Sequence, residues 1–226
     1  MADDLGPSTS YSDPFYDRLD AFAQVIKRAW PLVLLVVVLG IVGVFVLNSA
    51  LQRHPEAGSA ARFIAARDEA DTTKRTAAFQ ALLADPQVTP TFRARAGIEV
   101  VQELLLKGDT ASAAPVALKV IEAATAANDA EIQLAAKLTR AAVHQQAGEL
   151  DQAISLFSET KRAAGAKYQV AQLTAVLGLA QVLTAQGKRD EAIVELEPLI
   201  TRTDLGAENL LGLAKAMYWD LKRQVA

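Results

Sequence analysis

The sequence predicts an all-α protein, in which one transmembrane helix precedes a solenoid of antiparallel helix pairs. Three observations carry this reading. Residues 29–51 form a run of 23 residues without a charge. From residue 56 onward, apolar residues recur at helical spacing and no alternating strand pattern is found. Three glycine-led turns, at Gly108, Gly148 and Gly187, align with one another at spacings of 40 and 39 residues. Composition agrees: aromatics are 6% of the chain and much of the 51% hydrophobic share is alanine, which loses no side-chain entropy in a helix.

The charge-free run would make roughly 34 Å of helix at 1.5 Å per residue, enough to cross a hydrocarbon core of about 30 Å. Its valines, poor in a soluble helix, cost little where the backbone must bond to itself. Trp30 sits where an interfacial aromatic belongs, and Pro31 suits a first-turn position. Lys27 and Arg28 bound the run on one side and Arg53 on the other, so the positive-inside rule leans by one charge toward a cytoplasmic N-terminus. Lys27, Arg28 and Trp30 are the expected membrane-interface residues. A cleaved signal peptide fits less well, because the preceding 28 residues hold five aspartates in place of a short basic stretch.

The expected domains follow in order. Residues 1–28 form a cytoplasmic tail. Within it, Asp13-Pro14 resembles a helix start, and Phe15, Leu19, Phe22 and Ile26 give 14–28 an apolar stripe that suits either a helix on the membrane surface or an early start of the transmembrane helix. The span occupies 29–51 and a membrane-proximal helical pair 52–89. A repeat domain covers 90–226 and ends in a capping helix. Turn signals place helices at about 57–70, 73–84, 90–107, 110–127, 129–147, 150–164, 167–186, 189–203 and 206–224.

The aligned turns show a common logic. Gly148 opens GELDQAISLFSE, Gly187 opens GKRDEAIVELEP, and Gly108 opens the weaker GDTASAAPVALK. Glycine permits positive φ at the helix end. Five residues later comes a small residue, Ala113, Ala153 or Ala192, which lets paired helices approach. One turn on stand Ala117, Phe157 and Leu196, the last two large enough to wedge between pairs. This pattern over about residues 90–204 resembles the tetratricopeptide repeat, with longer units than that family's 34 residues. Its usual first-helix Gly and Tyr are replaced by Ala141 and His144, then by Ala180 and Leu183.

That resemblance implies a protein-binding solenoid whose first helices line a concave groove. Carried over turn by turn, its groove positions fall on Arg95, Gln102, Leu105, Gln145, Gln146, Gln181 and Thr184. The set is polar and glutamine-rich, and lacks the Lys and Asn clamp with which some relatives hold a C-terminal carboxylate. The order of parts also resembles the bacterial ancillary Sec-translocon subunit family, which implies a periplasmic repeat domain working with the translocon and its chaperones.

No constellation for catalysis is present, so the chain is expected not to be an enzyme and to need no cofactor or metal. The two histidines, His54 and His144, stand 90 residues apart, and there is no cysteine. His144 is expected to pack within its helix. Asp190-Glu191 resembles a first-turn acidic pair favoured by the helix dipole. The net charge of −3 argues against nucleic acid. No small-molecule substrate is evident. Expected partners are therefore other proteins (translocon, chaperone or membrane-complex subunits) and the lipid bilayer. The expected function is a membrane-anchored adaptor or chaperone-like subunit at the outer face of a bacterial inner membrane. An accessory structural subunit of a large membrane complex is the alternative.

Overall fold

The computed structural model describes residues 55–202 and 207–223, all of them in the second of two compact units, Pro55–Ala226. A first helix, α1, covers residues 55–67. It is followed by α2 (Thr72–Ala84), α3 (Pro90–Leu106), α4 (Thr110–Ala127), α5 (Ala130–Gln146), α6 (Leu150–Ala164), α7 (Gln169–Ala185), α8 (Arg189–Ile200) and α9 (Glu208–Arg223). Among the described residues there is no strand.

Local chemistry sets most of these boundaries. Asp71 caps α2 by accepting from the N–H groups of Thr73 and Lys74, and Asp129 caps α5 through Glu131 and Ile132. Pro90 opens α3 at a position whose N–H would have had no helical partner. The three aligned glycines adopt φ of 74°, 79° and 77°. Each turn closes with the same pair of bonds. Gly108 N–H donates to Leu105 O and Asp109 N–H to Leu104 O, at 3.0 and 2.9 Å. Gly148 and Glu149 repeat this on Gln145 and His144, and Gly187 and Lys188 on Thr184 and Leu183. This double closure satisfies helix-end carbonyls and depends on the left-handed residue. Asn128, at φ 52°, ends α4 in the same left-handed conformation, with its N–H donating to Thr125 O at 3.2 Å.

Packing between helices follows the small residues. Ala113, Ala153 and Ala192, five residues past each glycine, are all fully buried. So are Val101, Ala141 and Ala180, seven residues before the glycines, on the facing helices. Helices α3 and α4, α5 and α6, and α7 and α8 form the three hairpins, and each also packs on the next. The core is accordingly a chain of three clusters. One joins α1, α2 and α3 around Phe79, Val88 and Val100. The second joins α3, α4 and α5 around Val101, Val120 and Ile132. The third runs from α5 to α9 around Phe157, Leu173, Leu196 and Tyr218. Neighbour-to-neighbour burial of this kind is what a helical repeat fold requires.

One part of the expected fold class is corrected. Among the described residues no helix is long and apolar enough to cross a membrane. The nearest is α7, which has no charge, but its 17 residues make roughly 26 Å of helix, short of a hydrocarbon core of about 30 Å. It also carries three glutamines. Its apolar character has another cause: nine of its residues are buried by neighbouring helices. The run 29–51, with Lys27, Arg28 and Trp30 beside or within it, lies outside the described residues, as does the surface helix expected over 14–28. The described residues are therefore an all-helical array of packed helices, and no transmembrane element is among them.

Because all three clusters are built from residues within 55–226, a fragment covering that range is expected to fold alone. Far-UV circular dichroism should show a strongly helical spectrum and one cooperative melt. A disordered or strand-dominated spectrum would contradict this architecture.

Candidate protein-binding face

The backbones of the odd-numbered helices approach in succession, α3 to α5, α5 to α7 and α7 to α9, whereas those of the even-numbered ones stay farther apart, with α6 and α8 joined through the long side chains of the Lys161–Glu195 ion pair. A row that packs closely on one side and is splayed on the other curves toward the close side, so α3, α5, α7 and α9 line the inside of the array.

Two pairs of the sequence-predicted groove residues meet across this row. Gln145 Nε2 on α5 donates to Gln181 Oε1 on α7 at 3.4 Å. Gln146 Nε2 donates to the Leu105 carbonyl, at the end of α3, at 2.8 Å. Both bonds cross from one repeat to the next. Gln102, Gln146 and Gln181 are exposed, and Gln145 and Leu105 are half-buried. Thr184 turns back on its own helix, its hydroxyl donating to Ala180 O at 2.7 Å. Arg95 stands apart near the start of α3, its guanidinium 5.5 Å from the Phe92 ring centroid.

Two concavities on this face lie mostly away from these positions. A hollow of about 400 Å³ lies between the starts of α5 and α7, bordered by Glu131, Ala135, Leu138, Val170 and Thr174 and by Lys167 and Tyr168 of the connecting turn. A second, of about 490 Å³, lies between α7 and α9, bordered by Leu177, Gln181, Leu213, Met217, Asp220 and Arg223. Each has one strongly exposed apolar side chain on its border, Val170 at 59% and Leu213 at 61%, whereas Leu177 is buried and Leu138 and Met217 are half-buried. Of the sequence-predicted positions only Gln181 lines either hollow. A signal for the first one was present all the same. Arg95 stands 13 residues before Gly108, and the same offset from Gly148 and Gly187 gives Ala135 and Thr174, both on its border.

Polar groups singled out in the sequence have local roles. His144 is not packed wholly within its helix: its Nδ1 meets Glu149 Oε2 across the Gly148 turn, with the side chain 21% exposed. Asp190 and Glu191 occupy the first turn of α8, but neither caps it, because the capping residue is Lys188 and no side-chain cap bond forms. Asp109 does cap α4, and hydrogen bonds from the Ser112 hydroxyl and backbone N–H hold its carboxyl below the usual carboxylate range. Among the described residues no group of three His, Cys, Asp or Glu side chains is placed to hold a metal. His54 lies outside them.

No protein-family model, curated protein or solved structure matches the chain.

Proposed function

We propose that this domain is a protein-binding adaptor of tetratricopeptide-like construction, which receives a partner along the inner face of α3, α5, α7 and α9. The observation that carries the reading is the pair of successive hollows flanking α7, each bordered by one solvent-exposed apolar side chain, Val170 or Leu213. Exposed apolar borders on a concave surface favour a partner that removes them from water, and the glutamines between them offer both donors and acceptors. The recurrent glycine turns and buried alanines support the family likeness. An adaptor at the outer face of a bacterial inner membrane, serving the translocon or its chaperones, is the setting the sequence resemblance suggests.

Affinity capture on the full chain tests the groove. Leu213→Asp and Gln181→Arg change exposed positions, so each should alter stability by no more than about 0.5 kcal/mol. Both should nevertheless reduce recovery of specific partners at least tenfold. Unchanged recovery with both variants would remove the groove from consideration. Recovery of one stoichiometric assembly, in place of exchanging secretory or chaperone partners, would favour the accessory structural subunit. Location is tested separately. A reporter active only in the periplasm, fused after Ala226, should be active, and an inactive but intact fusion would overturn the proposed setting.

A further inference from the structure

We draw no further inference here: the strongest candidate, the apolar hollow between α7 and α9 bordered by Leu177, Leu213 and Met217, belongs to the face already described, and nothing in the structure shows what covers it.

Discussion

Ala153→Arg is expected to lower the unfolding free energy of the 55–226 domain by about 2–4 kcal/mol, through overpacking and charge burial. Ala153 has no exposed surface and belongs to the same buried cluster as Ala141, on the partner helix of its hairpin. A guanidinium placed there must either part the α5–α6 hairpin or lose its hydration. Its neighbour Gln152 is exposed, so Gln152→Arg should change stability by no more than about 0.5 kcal/mol. Paired urea melts would compare the two variants directly. A shared midpoint shift would mean that the position five residues past the glycine is not the crossing point. The correspondence among Ala113, Ala153 and Ala192 would then lose its meaning.

That correspondence also shows what the sequence reveals and what it withholds. The turns are legible because a positive φ is a demand on a single residue, and glycine meets it without steric cost. The small residues are legible because helix pairs that approach closely leave room for little more than a methyl group at the crossing. Helix ends are less sharp. α8 stops at Ile200, shortly after Pro198, and not at 203, and α1 stops at residue 67, leaving room for the Asp71 cap of α2.

The candidate face was only partly legible, for a physical reason. Positions counted back two, three and six residues from a glycine fall on the final turns of α3, α5 and α7, where the Gln145–Gln181 and Gln146–Leu105 bonds form. The first hollow instead depends on how the turn at 165–168 brings Lys167 and Tyr168 beside Glu131. The second depends on where α9 docks. Both are tertiary facts with no periodicity of their own. The uncharged stretch of α7 shows the opposite hazard. Apolar character all round marks a helix enclosed by neighbours as readily as one enclosed by lipid, and length is what separates the cases.

The second large effect concerns Gly178, which sits in the middle of α7 with no turn to explain it. Intrinsic propensity would favour alanine there by about 1 kcal/mol. Contact reverses the preference. A Cβ at Gly178 would stand 2.4 Å from both Cε1 and Cζ of Phe157, the wedge residue of α6. That ring is itself buried, so it has little room to withdraw. Gly178→Ala should therefore cost about 1–3 kcal/mol through overpacking, despite the better helix former. Phe157→Ala should cost more, about 3–5 kcal/mol, because it empties the space between the second and third hairpins. The double variant provides the decisive measurement. With the ring gone, the three atoms nearest to a methyl at 178 are removed, and the alanine regains its helical advantage. Gly178→Ala should then be neutral or stabilising in the Phe157→Ala background, with a coupling of at least about 1 kcal/mol. Simple additivity in denaturant melts would show that ring and glycine do not share that space, and that the wedge between the second and third hairpins lies elsewhere.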